Sequence, residues 1–291
     1  MTIAVACCLA DGIIMGADSA ITITGVLETP EGRHAGVLKV YNDADKLFSL
    51  HDLPVGIVTF GLASLGKRTV QSYIREFEHS NKESNMESWS IEKLSRELWR
   101  FFETRYREEL GKTVALDSGI PYSEVEPAEL PILGFMVGGF GPEEHLPELW
   151  EVIINSREED KGVTQKREPG NFGSDWGGQI EGVIRFHKGF SFPGLQEIIT
   201  AILKHHNLEM TSSLNEEIIQ IIRSVEYMIP WDGMPLQQGV DYVKFCLDIM
   251  INQTKFVVGA PTCGGNVRIA VIRQNEGFRS VADNNFEVRR I

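Results

Sequence analysis

The chain enters a β-strand at its second or third residue. Ile3–Leu9 and Ile13–Ala17 are short apolar runs separated by Ala10-Asp11-Gly12, a spacing typical of a β-hairpin with a tight turn. Lys46–Leu50 and Val55–Phe60 form a second pair of the same kind. The chain is therefore predicted to begin with several strands in succession. This argues against a doubly wound fold, because in such a fold single strands alternate with single helices.

Helical periodicity follows these strands. Apolar residues recur at helical spacing in Ser64–His79 and again in Ile91–Leu110, whereas residues 111–130 are predicted to form a long loop. Strand patterns return at Ile132–Phe140 and Leu149–Ile154. Two further helical patterns, at residues 180–186 and 240–251, precede a last strand at residues 267–272. The order β, αα, ββ, αα, β predicts an α/β (α+β) protein with a four-layer αββα sandwich.

The remaining segment, residues 187–238, carries helices of its own. Leu195–His205 and Leu214–Met228 have helical patterns, and the segment ends in turn-forming residues around Asp232-Gly233. We interpret it as an insertion rather than an independent domain, because a segment of this size buries little core by itself.

Composition excludes several classes of function. The net charge is −13. Nucleic-acid binding needs clustered Lys and Arg, so this acidic chain is not expected to be a general nucleic-acid binder. An apolar run long enough to span a bilayer is absent from the sequence, and the N-terminus lacks the pattern of a signal peptide. We expect a cytoplasmic protein with reduced, buried cysteines, no metal site and no cofactor, because neither Cys nor His has ligand spacing.

Thr2 is the first candidate for chemistry. Initiator methionine is commonly removed before a small residue such as threonine, and removal of Met1 would leave a Thr2 with a free α-amine. Such a residue can be nucleophile and base together, since its hydroxyl attacks a carbonyl while its amine, with an ordinary pKa of about 7.7–8.0, accepts the proton. By itself this signal is weak, because many proteins begin Met-Thr.

Several further motifs accompany Thr2 in a fixed order. They are Thr2-Ile-Ala-Val-Ala, Asp11-Gly12-Ile-Ile-Met-Gly-Ala-Asp18-Ser19, Asp45-Lys46-Leu47-Phe48, Phe60-Gly61-Leu62-Ala63, Val137-Gly138-Gly139-Phe140, Asn171-Phe172-Gly173-Ser174 and Cys263-Gly264-Gly265-Asn266. In order and spacing these motifs resemble proteasome β-type subunits. The resemblance covers roughly residues 2–79, 132–185 and 239–273, and it implies a single N-terminal-nucleophile (Ntn) hydrolase domain over 1–291 with insertions at about 80–131 and 187–238.

The resemblance also implies roles for particular residues. Thr2 matches the nucleophile, Asp18 the buried carboxylate, Lys46 the lysine beside the nucleophile, Gly61 the oxyanion-hole glycine and Ser174 the serine that binds the terminal amine. The chemistry is consistent with these residue types: a lysine ammonium stabilises an alkoxide, a carboxylate orients the ammonium, and a glycine lets its N–H approach an oxyanion.

One motif departs from the family pattern. The family usually carries Asp-x-x-Ser-Gly-Gly before its last core strand, whereas this chain has Ala260-Pro261-Thr262-Cys263-Gly264-Gly265. The acidic residue is missing and serine is replaced by cysteine, which makes the environment of the terminal amine less acidic. Thr262 and Cys263, together with Ser19, are therefore candidate supporting residues.

Three functions remain open from the sequence. The first is a threonine-type peptidase or amidase assembled into rings or stacks of identical subunits, acting on peptides or proteins, with an ATP-dependent unfoldase as a candidate partner. The second is a noncatalytic, proteasome-like structural or binding subunit. The third is an Ntn amidase that acts on a small molecule. Retention or removal of Met1 separates the first and third from the second.

Overall fold

Two five-stranded antiparallel sheets organise the part of the chain that the structure describes. This computed structural model describes residues 2–29, 32–50, 53–118, 120–258, 261 and 263–282, and their side chains except those of residues 24–36, 113–118 and 282. In chain order the strands are β1 (Ile3–Leu9), β2 (Gly12–Ala17), β3 (Ile21–Thr29), β4 (Gly32–Tyr41), β5 (Leu47–Ser49), β6 (Val55–Gly61), β7 (Ser64–Leu65), β8 (Arg68–Thr69), β9 (Leu133–Gly139), β10 (Glu148–Ile153), β11 (Val163–Arg167), β12 (Gly173–Gly178), β13 (Arg268–Arg273) and β14 (Gly277–Ala282).

The longer connections between strands contain the helices, several of which pack against the sheets of the first unit. They are α1 (Val70–Ser80), α2 (Ile91–Ser118), α3 (Glu159–Gly162), α4 (Glu181–Lys188), α5 (Phe192–His206), α6 (Ser212–Val225) and α7 (Leu236–Thr254). The first sheet has the strand order β12-β1-β2-β13-β14, and the second has the order β11-β10-β9-β6-β5. The protein is thus a mixed α and β structure built on antiparallel sheets. Strands β3 and β4 form a separate antiparallel pair.

The hairpin predicted at the start of the chain is confirmed. Strands β1 and β2 pair antiparallel, with Cys8 opposite Ile13 and Ala4 opposite Ala17. Every residue of both strands is buried, because one face of the hairpin packs against the second sheet and the other against α7. Burial on two faces explains why both strands are continuous apolar runs rather than alternating ones.

Apolar side chains of different sizes fill the space between the two sheets. Ala4, Ala6 and Met15 of the first sheet share a buried cluster with Val58 and Met136 of the second. The second sheet packs its other face against α1 and α2, whose buried aromatic residues Phe77, Phe102 and Tyr106 contribute to a larger core. The start of β1 and the end of β6 are therefore both anchored in a rigid, packed interior.

Helix α7 lies close against the outer face of the first sheet. Gly16 of β2 permits this approach, because a Cβ there would lie 2.8 Å from Val243 and 2.9 Å from Leu247. Gly239 of α7 has the same function from the helix side, where a Cβ would lie 2.6 Å from Ile14. The pairing of glycine with large aliphatic side chains fixes the helix over the hairpin.

The long loop predicted for residues 111–130 is wrong in its first part. Helix α2 continues to Ser118, eight residues beyond Leu110 where we expect it to end, because Lys112–Ser118 contains neither proline nor glycine. Short 3₁₀ turns at Tyr122–Glu124 and Pro127–Glu129 follow. Most of residues 80–131, predicted as an insertion, is therefore regular helix, and its apolar face is part of the core.

The chain separates into two compact units, Met1–Gln179 with Trp231–Ile291, and Ile180–Pro230. The second unit contains α4, α5 and α6, and the two helices expected there are confirmed. Ser191 caps α5 and Thr211 caps α6, each hydroxyl accepting a backbone N–H three residues on.

Candidate active site

Thr2 lies directly before β1 and is buried, with 3% of its surface exposed. Its carbonyl oxygen accepts a hydrogen bond of 2.7 Å from the backbone N–H of Gln179. Gly178, which precedes Gln179, has φ +82°, a conformation that favours glycine. The backbone of Thr2 is thus held against the end of β12.

A buried carboxylate lies beside this strand start. Asp18 follows β2 and is 1% exposed. Its Oδ1 accepts hydrogen bonds from the Ile3 N–H at 3.1 Å and from Lys46 Nζ at 2.8 Å, and its Oδ2 accepts from the Ala20 N–H at 3.3 Å and the Gly264 N–H at 3.0 Å. Four donors satisfy the carboxylate, as burial of a charge requires.

Lys46 supplies the one cationic donor to this carboxylate. It lies just before β5 and is 2% exposed, and its ammonium also donates to the carbonyl oxygen of Ala20 at 2.5 Å. Burial lowers the pKa of Lys46, while the charge and hydrogen bond of Asp18, and to a smaller extent nearby Cys263, act in the opposite direction. The pair forms a neutral, dehydrated unit whose charges are little screened.

The position of the ammonium relative to the chain start follows from the shared oxygen. The Ile3 N–H and Lys46 Nζ both donate to Asp18 Oδ1, so the two nitrogens lie within about 6 Å of each other at ordinary hydrogen-bond lengths. The structure therefore brings the Thr2–Ile3 peptide, Asp18 and Lys46 together, as the sequence predicts.

Ser19 connects three chain segments around this pair. Its hydroxyl donates to the Asn42 carbonyl at 2.5 Å and accepts from the Asn266 N–H at 2.8 Å, and its own N–H donates to the Gly264 carbonyl at 3.2 Å. Since Gly264 donates to Asp18, Ser19 fixes the segment that supplies one of the carboxylate donors. Its side chain acts on the pair through backbone geometry.

Cys263 is a buried free thiol, 2% exposed. The Thr254 hydroxyl at the end of α7 donates to its carbonyl oxygen at 3.1 Å, and the N–H of the next residue, Gly264, donates to Asp18 Oδ2. The structure thus brings Cys263 to the candidate site. Thr262, Ala260 and Met1 lie outside the described residues.

Gly61 ends β6 with φ +87°. A Cβ at this position would lie 2.0 Å from the carbonyl oxygen of Ile132, so the glycine is required by the close approach of a neighbouring strand. Gly178 connects this strand end to Thr2, because a Cβ on Gly178 would lie 2.0 Å from the Thr2 carbonyl oxygen and 3.3 Å from Cβ of Phe60. Gly61 and Thr2 therefore lie at the same end of the sheets.

Ser174 is not brought to Thr2. It pairs with Cys7 in the β1–β12 register, whereas Gly178 pairs with Ile3, so Ser174 lies four residues, or roughly 13 Å, along the strand from the Thr2 end. Its hydroxyl forms a hydrogen bond of 2.7 Å with the hydroxyl of Tyr242 on α7, whose pKa is raised by burial. The contact with the Thr2 amine that the resemblance implies is not formed.

Replacing Ser174 with alanine is expected to lower the free energy of unfolding by about 1–3 kcal/mol, because the buried Tyr242 hydroxyl loses a partner. Chemical denaturation measures this change. Covalent labelling of Thr2 by an N-terminal-threonine probe is expected to proceed at the parent rate, with Tyr242→Phe as the control that removes the same hydrogen bond. Labelling slowed a hundredfold in Ser174→Ala alone would instead assign the serine to the chemistry.

Several groups at the site carry no side-chain signal in the sequence. The N–H groups of Ile3, Ala20, Gly264 and Gln179 contribute through the backbone alone. The Gly177-Gly178 and Gly264-Gly265 pairs are the patterns that could indicate a close approach of two chain segments.

The described residues contain neither a group of His, Cys, Asp and Glu side chains arranged to hold a metal ion nor a helix long and apolar enough to cross a membrane. Two cavities in the first unit border described residues. One, of about 560 Å³, is lined by Leu50, Arg75, Glu78 and others, and one, of about 290 Å³, is lined by Asp45, Phe48, Gln71, Arg268 and others. The candidate site is defined by its buried polar groups.

Comparison with known proteins agrees with this fold. No known family profile and no curated protein matches the chain. Among solved structures it is similar to the Anbu complex from Pseudomonas aeruginosa, described as a helical assembly, with 14% identity and a TM-score of 0.53 over 97% of this chain and 88% of that one. It is similar to Anbu (ancestral beta-subunit) from Yersinia bercovieri, with 11% identity and a TM-score of 0.51 over 97% and 88% of the two chains.

A third structure, an Anbu (Gly-1) mutant from Hyphomicrobium sp. strain MC1, has 11% identity and a TM-score of 0.52, covering 98% of this chain and 89% of that one. Identities this low show a shared fold and no more. The assignment to the proteasome β-subunit family is wrong, because the similar structures belong to Anbu, a distinct proteasome-like family. In this chain the motifs behind that assignment include strand ends and the buried ion pair.

Proposed function

We propose that this chain is a threonine-type hydrolase, a peptidase or amidase, with the four-layer αββα architecture of the Ntn hydrolases in a single domain. The observation that carries the proposal is the Lys46–Asp18 pair, fully buried and hydrogen-bonded to the backbone of Ile3. Burying two charges is costly, and here the ammonium is placed beside the residue that becomes N-terminal when Met1 is removed.

The proposed reaction uses Thr2 as nucleophile and base. With Met1 removed, Thr2 Oγ attacks an amide carbonyl carbon, and the hydroxyl proton passes to the Thr2 amine directly or through a water molecule. Lys46 stabilises the developing negative charge on Oγ, and a backbone N–H at Gly61 stabilises the oxyanion of the tetrahedral species. The amine proton then transfers to the leaving nitrogen as the C–N bond breaks, and water hydrolyses the remaining ester.

Self-association completes the proposal. The similar Anbu complex is described as a helical assembly, which supports a self-associating particle for this chain, in rings or stacks or along a helix, within the cytoplasm. Peptides or unfolded proteins are the proposed substrates, with an ATP-dependent unfoldase as the proposed partner. A small-molecule amide is the alternative substrate.

Intact mass and covalent labelling test the hydrolase directly. The parent protein is expected to lack Met1 and to gain one peptide epoxyketone at Thr2, because this probe reacts with both the hydroxyl and the free amine of an N-terminal threonine. Thr2→Ala is expected to abolish the adduct, and Thr2→Ser, which keeps both reacting groups, is expected to retain it. Peptide mapping by mass spectrometry locates the modified residue.

A processed, folded and assembled protein that neither labels nor cleaves a varied peptide library would contradict the hydrolase. The noncatalytic structural or binding subunit would then replace it. One observation already favours that alternative, since Ser174, the expected partner of the terminal amine, binds Tyr242 instead.

A further inference from the structure

The connection from α2 to β9 is held by side chains from other elements. Within it, residues 120–131 include Pro121, Pro127 and Pro131, which have no N–H to donate to a neighbouring strand. The carbonyl oxygens of this connection are bound instead. Arg157 donates to three of them, and Asn155 donates to that of Pro127 at 3.0 Å. The course of the connection is therefore set by these donors and not by pairing within a sheet.

Tyr106 binds the last carbonyl of this connection. It lies on α2, is 0% exposed and donates its hydroxyl hydrogen to the carbonyl oxygen of Pro131 at 2.5 Å. Its ring meets that of Tyr122 edge-on, with the centroids 6.4 Å apart. Burial raises the pKa of Tyr106, so the hydroxyl stays protonated at neutral pH. The Pro131 carbonyl thus has a donor that is fixed in the core.

Ile132 transmits this contact to the end of β6. Its carbonyl oxygen accepts the N–H of Leu62 at 2.8 Å, and a Cβ at Gly61 would lie 2.0 Å from the same oxygen. The carbonyls of Pro131 and Ile132 belong to adjacent planar peptides, so a rotation of one displaces the other. The donor to Pro131 therefore restricts the peptide that follows Gly61.

The N–H of Gly61 points away from Ile132. N–H groups alternate between the two sides of a strand. That of Leu62 points to Ile132, whereas that of Thr59 points to the other side, where it donates to the Lys46 carbonyl oxygen at 2.9 Å. Gly61, two residues after Thr59, shares its side. The Gly61 N–H is thus directed to the side of β6 on which Lys46 lies, as the proposed stabilisation of an oxyanion requires.

We propose that Tyr106 is a positioning residue for hydrolysis at Thr2: through Pro131 and Ile132 it holds the Gly61–Leu62 peptide, and with it the direction of the Gly61 N–H. Loss of the hydroxyl frees the Pro131 carbonyl to turn, and the acceptor of the Leu62 N–H turns with it. The inference rests on the proposed function for its effect on the reaction. The link from α2 to Leu62 is measurable without any reaction.

Hydrogen exchange of single backbone amides tests this link. Tyr106→Phe removes the hydroxyl and keeps the ring, and it is expected to speed exchange of the Leu62 N–H by about tenfold or more relative to that of Thr59. Tyr242→Phe is the matched control, because it also removes a tyrosine hydrogen bond, of 2.7 Å to Ser174. The control is expected to leave the ratio of the two exchange rates unchanged. Equal acceleration of both amides in Tyr106→Phe would show a general loss of stability and would overturn the inference.

Labelling kinetics with a peptide epoxyketone test the effect on the reaction. In Tyr106→Phe the maximal rate of addition at Thr2 is expected to fall by about tenfold, because an oxyanion donor is displaced. The probe concentration that gives half of this rate is expected to stay at the parent value, and Tyr242→Phe is expected to keep both values. Parent-rate labelling in Tyr106→Phe would overturn its role in the reaction. A parent protein that does not label, together with faster Leu62 exchange in Tyr106→Phe, would contradict the hydrolase and still support the contact from Tyr106 to the Gly61–Leu62 peptide.

Discussion

Replacing Asp18 with alanine is expected to lower the free energy of unfolding by about 3–5 kcal/mol, because the Lys46 ammonium is left buried without its counter-charge. Lys46→Met is expected to have a similar effect, since the carboxylate then keeps only backbone donors. Chemical denaturation of the two variants measures these changes. The Glu158–Lys161 pair is the control, because its bond is also 2.8 Å but its side chains are 62% and 69% exposed, and its removal is expected to cost less than about 1 kcal/mol.

The double variant separates stability from chemistry. Asp18→Ala with Lys46→Met removes both charges together, so its loss of stability is expected to be about 1–3 kcal/mol smaller than the sum of the single losses. Epoxyketone labelling of Thr2 is expected to fall by about 10²-fold or more in all three variants, by analogy with the loss of one oxyanion stabiliser. The double variant is thus expected to regain part of the lost stability but not the rate of epoxyketone labelling.

A different pattern would contradict the role of Lys46. If the double variant labels at the parent rate while the single variants do not, the pair acts only by holding the fold. The ammonium would then be a structural partner of Asp18, and the chemistry at Thr2 would need another source of charge stabilisation.

Much of the fold is predictable from apolar periodicity. The hairpins β1–β2 and β5–β6 and the helices α1, α5, α6 and α7 follow patterns visible in the sequence and are confirmed. The helix predicted over Ser64–His79 is wrong at its start, because the short strands β7 and β8 precede α1. Within the two five-stranded sheets, the strands that the pattern does not indicate are β11, β12 and β14, all of which lie at sheet edges. An edge strand is paired on one side only and tolerates polar residues and glycine, as in Gly-Ser-Asp-Trp-Gly-Gly of β12.

The candidate site is predictable where side chains define it. Asp18 and Lys46 are identified from the sequence, and the structure joins them directly. The backbone donors to Asp18 are not predictable, because every residue except proline has an N–H and only the fold selects which ones converge. Ser174 is misplaced for a related reason: its motif fixes a position in β12, but the register against β1 decides which end of the strand it faces.

Gly178→Ala is expected to displace Thr2, the proposed nucleophile. The residue has φ +82°, and an added Cβ would lie 2.0 Å from the carbonyl oxygen of Thr2 and 3.0 Å from its carbonyl carbon. Since both contacts are with backbone atoms, no side-chain rotation relieves them. The left-handed conformation costs about 1–2 kcal/mol and the overpacking about 1–3 kcal/mol more, so the free energy of unfolding is expected to fall by about 2–5 kcal/mol.

Gly233→Ala is the matched control for this variant. Gly233 has φ +72°, and a Cβ there would meet nothing within 4 Å, so this substitution carries the conformational cost of about 1–2 kcal/mol without the collision. The difference between the two variants in chemical denaturation therefore measures the contact with Thr2. Equal destabilisation of both would show that the end of β12 moves away freely.

Labelling then connects this contact to the reaction. Movement of Thr2 by about 1 Å relative to Lys46 is expected to slow epoxyketone addition by about 10²-fold, at a temperature where Gly178→Ala is still folded, while Gly233→Ala labels at the parent rate. Parent-rate labelling of a folded but destabilised Gly178→Ala would mean that the Thr2 carbonyl tolerates displacement. The position of Thr2 would then depend on the Ile3–Asp18 hydrogen bond and not on β12.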